Sequence, residues 1–258
     1  MQKLLLFASA LLIGGAYLSD IQAQDKVTWG IRGGLNISNI GGNIKDDDHL
    51  GGNHISFPAK VGFNLGVIAD IELGKSFYLQ PGFYYSNKGF KYKWEDDGEK
   101  EIDKYGLNYF EIPILASYKL NINDNLRWEI NAGPYIAVGI AGKDKYKYSG
   151  EDPDYSYSVP AFGTGKTEVE DSEGDKFDTY KRGLKRFDFG LQFATGLTIK
   201  EHYYVGLRYD LGLLNGCNTS DEESPFYIDH DSLQQWGVDI DDYVGKLRNF
   251  SICFGYNF

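Results

Sequence analysis

The sequence predicts an all-β fold: an eight-stranded antiparallel up-and-down transmembrane β-barrel with short periplasmic turns and long extracellular loops. Three observations predict it. Apolar residues recur at every second position through eight segments, and helical periodicity is absent. The opposite face carries Gly, Ala, Ser, Asn and scattered charges of both signs, where a soluble sandwich would carry long solvated side chains. The connections alternate short and long, as in outer-membrane barrels whose termini lie on the short-turn side.

The elements follow in chain order. "MQKLLLFASALLIGGAYLSDIQAQ" combines Lys3, an apolar run Leu4–Leu18 and small residues around Ala23, the layout of a secretory signal peptide over 1–23. The run is too short for a bilayer-spanning helix, which needs about 20 apolar residues. No cysteine lies near the cleavage point, so no lipoprotein anchor is expected. Residues 24–258 then make one barrel domain with strands at 27–37, 59–72, 77–90, 108–120, 126–142, 186–200, 203–214 and 247–258. In the sixth, Phe187, Phe189, Leu191, Phe193, Leu197 and Ile199 share one face, and Asp188, Gly190, Gln192 and Ala194 the other. The turns "LGKS", "NINDN" and "KEH" join strands two to three, four to five and six to seven. Polar loops near 38–58, 91–107, 143–185 and 215–246 join the others. The closing segment "LRNFSICFGYNF" alternates to the last residue, and pairing with the first strand removes its bare edge.

Bulk composition narrows the partners. A net charge of −11 argues against nucleic acid, which calls for a basic surface. Mean hydropathy is −0.40, which by itself would suggest a soluble protein, yet 32 glycines and 16% aromatics are unlike an average globular enzyme.

Three stretches carry a family resemblance: "GIRGGLNISNI" (30–40), "YLQPGFYYSNKGF" (78–90) and "NYFEIPILASYKL" (108–120). They resemble the first, third and fourth strands of PorT-like outer-membrane β-barrel proteins. The resemblance implies an eight-stranded barrel in a Gram-negative outer membrane. It brings no catalytic residues with it.

Candidate site residues fall into three groups. Arg32, Asp70, Glu72, Glu111, Arg127, Glu129, Asp188, Arg208 and Asp210 lie on the polar face and are expected to form an interior charge network. Eight strands leave a lumen just wide enough for side chains to fill, so paired charges would plug it rather than line an ion path. Lys88, Lys91, Lys93, Lys143, Lys145, Lys147, Lys181, Arg182, Lys185, Arg186, Lys246 and Arg248 lie near the outer strand ends. They suggest a basic collar at the level of lipopolysaccharide phosphates, set against plain snorkelling charges. Phe254, Tyr256 and Phe258 end the chain and look like an assembly signal for barrel insertion.

Other motifs point to less. "PAFGTGKT" (160–167) ends like a phosphate loop but lacks its first glycine and is followed by "EVEDSEGD", which would repel phosphate. His49, His54, His202 and His230 fall in loops and turns, with no serine obviously beside them for nucleophilic chemistry. The acidic stretches 45–54 and 167–178 lack the ligand spacing of a calcium loop. Cys217 and Cys253 are expected at levels about 30 Å apart along the strands, beyond disulfide reach.

These readings converge on a monomeric, non-enzymatic barrel without a cofactor or metal. It would act through its external loops, chiefly 143–185 and 215–246, in surface interaction, envelope integrity or export assistance. A small ion or solute pore is the alternative, and an outer-membrane lipid-modifying enzyme a weaker one. Expected partners are outer-membrane lipid and lipopolysaccharide, the barrel-assembly machinery, and an extracellular ligand or envelope protein.

Overall fold

The computed structural model describes residues 27–41, 54–96, 98–150, 154–223 and 245–258. Twelve strands lie among them. They are β1 (Val27–Gly41), β2 (His54–Ser56), β3 (Lys60–Gly74), β4 (Phe77–Asp96), β5 (Glu99–Asn123) and β6 (Leu126–Ser149). After these come β7 (Tyr155–Pro160), β8 (Lys166–Glu170), β9 (Lys176–Tyr180), β10 (Phe187–Ile199), β11 (Tyr203–Gly212) and β12 (Lys246–Asn257). No helix among the described residues is long and apolar enough to cross a membrane.

Eight antiparallel strands close into a ring in the order β1, β3, β4, β5, β6, β10, β11, β12. Two pairings make the closure. β12 lies against β1 from Lys246↔Gly41 to Asn257↔Gly30, and β10 against β6 from Phe187↔Val138 to Ile199↔Leu126. Phe258 still donates its backbone N–H to the Trp29 carbonyl at 2.9 Å, so the ladder runs to the last residue. A closed ring pairs the backbone groups of every wall strand, which hydrocarbon requires.

The alternation sorts the two faces as the sequence implies. Trp29, Leu35, Phe63, Leu65, Phe193, Leu207, Ile252 and Phe254 are exposed on the outside, an apolar belt suited to lipid. Asn36, Asn64, Ser86, Glu111, Asn131, Gln192 and Ser251 are buried inside. The eight expected strands are the eight of the ring, and the tight connections 75–76, 124–125 and 200–202 all lie at one end.

The opposite end differs from expectation. Residues 91–107 are no loop. β4 and β5 continue as one hairpin through Asp96↔Glu99, and β6 runs on to pair β5 through Lys100↔Ser149. The expected loop 143–185 holds the outer part of β6, then β7 against it, then the separate β8–β9 hairpin. β4–β7 thus stand beyond the ring as a wall. Tyrosines knit that wall, with Tyr146 stacked on Tyr157 at 4.8 Å and Tyr148 on Tyr155 at 5.3 Å. The expected signal peptide, the acidic stretch 45–53, and most of the loop after β11 lie outside the described residues.

Candidate functional site

The lumen holds a stack of buried charges, most of them in ion pairs. Nearest the short turns, Lys119 of β5 points inward between Asp70 (2.6 Å) and Glu129 (3.4 Å). Gln80 donates to the other Asp70 oxygen at 2.8 Å, and the Tyr78 ring lies under the ammonium at 4.8 Å. Arg32 lies over the Tyr204 ring at 4.2 Å.

The middle tier centres on Arg208, 3.3 Å from Asp210 and 3.8 Å from Glu111, with its guanidinium over the Tyr84 ring. Asp210 also accepts from Gln192 (2.7 Å) and Asn249 (2.8 Å). From there an amide–hydroxyl chain crosses the barrel: Asn249 to Ser251, Ser251 to Asn36, and Asn36 to Ser86. Lys88 tops the stack, paired closely with Glu111 and 4.0 Å from Asp188, which accepts from the Tyr135 hydroxyl at 2.9 Å. Each of these charges is nearly fully buried, and all but Arg32, which has the Tyr204 ring and the Ile31 carbonyl, lie in ion pairs, as burial in a confined lumen favours.

Above Lys88 the interior becomes apolar. Phe90, Tyr105, Leu107, Tyr109, Phe162, Leu184, Cys217 and Leu247 form one buried cluster. Phe162, supplied by the segment after β7, meets Tyr109 edge-on at 5.8 Å. Glycine is needed opposite it: a Cβ at Gly142 would stand 2.7 Å from the Phe162 ring. The cluster caps the lumen. Over the cap lies a strap, residues 181–184, tied by N–H bonds from Arg182 to Pro160 and from Leu184 to Ala161, each 3.0 Å. Arg182 clamps Asp144 (2.6 Å) and Asp103 (3.2 Å). Burial, and then the adjacent Asp144 carboxylate, push the Asp103 carboxyl up to about 7 against the pull of Arg182.

The sequence-predicted residues separate on this geometry. Arg32, Asp70, Glu111, Glu129, Asp188, Arg208 and Asp210 lie inside. Glu72 and Arg127 do not join them. They are half-buried at the short-turn rim, where Arg127 donates to Asn121 at 3.0 Å, because the lumen opens to solvent there. Lys88 is corrected from the collar to the interior, and Arg182 from the collar to the strap. Lys119 was not foreseen, although its parity with Glu111 and Ser117 places it on the inward face. Lys91, Lys93, Lys143, Lys145, Lys147, Lys181, Lys185, Arg186, Lys246 and Arg248 are half-buried or exposed near the loop end. Of these, Lys93 pairs with Glu95, Lys147 lies 3.6 Å from Asp154, and Arg186 donates to the Gly139 carbonyl.

Phe254, Tyr256 and Phe258 face outward, with Tyr256 between the His202 ring (5.3 Å) and Phe258 (5.5 Å). The phosphate-loop look-alike is a turn. Gly163 and Gly165 take positive φ and pass the chain from Phe162 into β8, with no helix after it. The acidic 167–178 stretch is largely the β8–β9 hairpin, whose Asp171 accepts the amides of Glu173 and Asp175. Among the described residues no cluster of three or more His, Cys, Asp or Glu is arranged to hold a metal. Cys217 and Cys253 are both free and buried, Cys217 in the cap and Cys253 in the wall opposite Gly34 and Gly206.

The family model for the outer membrane protein beta-barrel domain matches residues 22–216. The chain belongs to this family. It is therefore an outer-membrane β-barrel protein, and the match reaches from before β1 to just beyond β11. No curated protein matches the sequence significantly. Among solved structures, the attachment invasion locus protein Ail of Yersinia pestis aligns at 14% identity and a TM-score of 0.35, over 90% of this chain and 99% of its own. Neisserial surface protein A aligns at 8% identity and a TM-score of 0.37, over 89% and 95%. OprG from Pseudomonas aeruginosa aligns at 9% identity and a TM-score of 0.36, over 93% and 99%. At such values these likenesses say nothing about what this chain does.

Proposed function

We propose that this protein is a plugged, non-enzymatic outer-membrane barrel that works through the wall and loops at its long-connection end. The supporting observation is the lumen. Lys119, Arg208 and Lys88 fill it at successive levels, each against carboxylates, and Phe162 with Leu184 closes what remains. Nothing in that arrangement frees a nucleophile or a base for catalysis, and Lys88, Lys119 and Arg208 are spent on carboxylates.

In this reading the signal peptide over 1–23 directs export, the short turns face the periplasm, and the β4–β7 wall with its tyrosines stands at the cell surface. The roles that fit are surface interaction, envelope integrity or assistance to an export system. The barrel acts as a monomer embedded in lipid and lipopolysaccharide. The assembly machinery reads its closing strand through Phe254, Tyr256 and Phe258. Two measurements test this placement. Heat-modifiable migration in the outer-membrane fraction is expected, together with cleavage of the β8–β9 hairpin by protease added to intact cells. A hairpin cleaved only after the outer membrane is breached would reverse the orientation.

A further inference from the structure

The outer face of the wall carries an arrangement that the interior does not explain. Lys91 of β4 lies directly opposite Lys104 of β5, and Lys104 directly opposite Lys145 of β6. Directly paired residues of antiparallel strands point to the same side, with Cβ atoms about 5 Å apart, and like charges so placed repel. Lys88 and Lys119 inside, and Lys93 and Lys147 further out, each have a carboxylate. Lys91, Lys104 and Lys145 have none among the described residues. Glu170 and Asp171 line the neighbouring recess with Lys104 and Lys145, but neither forms an ion pair with them.

Just below this row is a recess of about 450 Å³ between β3 and β6, walled by Lys60, Lys104, Lys143, Lys145, Asn87 and Asn108. Gly106 lies at its floor, where a Cβ would stand 3.7 Å from the Lys60 side chain that crosses it. Lys60 reaches Asn87 at 2.7 Å. Asn108 accepts from Tyr85 and Asn87, and its own NH2 has no acceptor among the described residues. Every donor around the recess is therefore a cation or an amide N–H. On the same outer face the row Tyr85–Phe110–Val138 marks the top of the apolar belt. From Tyr85 to Lys91 is 91 − 85 = 6 residues, or about 15 Å of height at about 3.3 Å per residue and a tilt of about 40°. The recess lies between these levels, where lipid headgroups stand.

We propose that this recess, lined by Lys60, Lys104, Lys143 and Lys145 with Lys91 paired to Lys104 beside it, is a binding site for a phosphate group of an anionic glycolipid of the lipid A type. The bound phosphate supplies a counter-charge that the described residues do not give the lysine row. The proposal rests on the outer-membrane placement with the wall on the lipopolysaccharide side, and it replaces a diffuse collar by one pocket.

The test uses the full mature chain folded into zwitterionic nanodiscs, with each variant first checked for heat-modifiable migration. Diphosphoryl lipid A is titrated against wild type, Lys104→Gln/Lys145→Gln and the control Lys176→Gln on the β8–β9 hairpin. The double variant is expected to bind about tenfold or more weakly, and the control as wild type. Dephosphorylated lipid A and phosphatidylglycerol are expected to bind wild type no better than they bind the double variant. Thermal unfolding gives an independent sign. Without lipid A, Lys104→Gln is expected to melt higher than wild type because repulsion is relieved, and with diphosphoryl lipid A the order reverses. Undiminished binding by the double variant, equal binding of dephosphorylated lipid A, or an unreversed melting order would each overturn the pocket. A chain that fails to migrate as a barrel would instead sink the membrane reading before any titration, so the two failures are distinguishable.

Discussion

The lumen and the cap fill the same tube with opposite chemistry. Up to Lys88 the inward side chains are mostly ions and amides that partner one another, while above it they are mostly rings and aliphatic chains packed by contact. The difference follows the surroundings of the wall. Where lipid covers the outside, apolar side chains turn outward and the polar ones must satisfy each other inside. Beyond the lipid, the outside meets water, so lysines turn outward and aromatics turn in. The strand code inverts at one level. On β4, Lys88 is inside and Tyr85 outside; a few residues later Phe90 is inside and Lys91 outside.

Breaking the ionic part is expected to cost most. Lys88→Met leaves Asp188 buried without a cation and Glu111 with only Arg208 at 3.8 Å, for a loss of about 4 kcal/mol, readable by urea unfolding of the barrel in lipid vesicles. Phe162→Ala empties the cap and is expected to cost about 3 kcal/mol in the same assay. It should leave the ionic tiers intact, so the unfolding of residues below Lys88 shifts less than that of the strap.

The strap offers a gentler perturbation. Asp103 titrates near 7 in the folded protein, above its unfolded value near 3.8. Below the unfolded value both states hold the proton and pH has no effect through this group. Between the two values only the folded state holds it, so stability falls as pH rises toward 7, and the loss is complete above that. Amide protection factors at Arg182 to Leu184, with the intrinsic base catalysis of exchange divided out, are expected to fall from about pH 5 to about pH 8, and Asp103→Asn to flatten the trend. The smallest stability effect is expected from deleting Phe258, which lies on the lipid-facing side of the short-turn rim beside Trp29 and Tyr256. Folded stability should change by under about 1 kcal/mol, while the amount reaching the outer membrane drops; an unchanged amount would remove its role as an assembly signal.

The ring was legible because its code is simple. Within the belt every strand keeps one phase, so alternation alone finds the strands and assigns Glu111, Asp188, Arg208 and Asp210 to the lumen. The outer ends were misread where the phase inverts: "FKYKWED" alternates aromatics with lysines just as a strand should, but with the apolar set on the opposite face. Reading it as loop also grouped Lys88 with Lys91 and Lys93, though 88 is of inward parity and the others outward. Lys119 was missed because it follows the outward Tyr118 in an otherwise apolar run. The cap depended on Phe162 and Leu184 folding back over the barrel mouth, long-range packing that no local pattern encodes.

The central claim is that the lumen is closed, and single-channel recording in a planar bilayer tests it most directly. The folded wild-type barrel is expected to give no discrete conductance at either polarity. Reproducible steps from wild type, lost when Lys88 or Arg208 is altered, would contradict the account and make the charge stack an ion path.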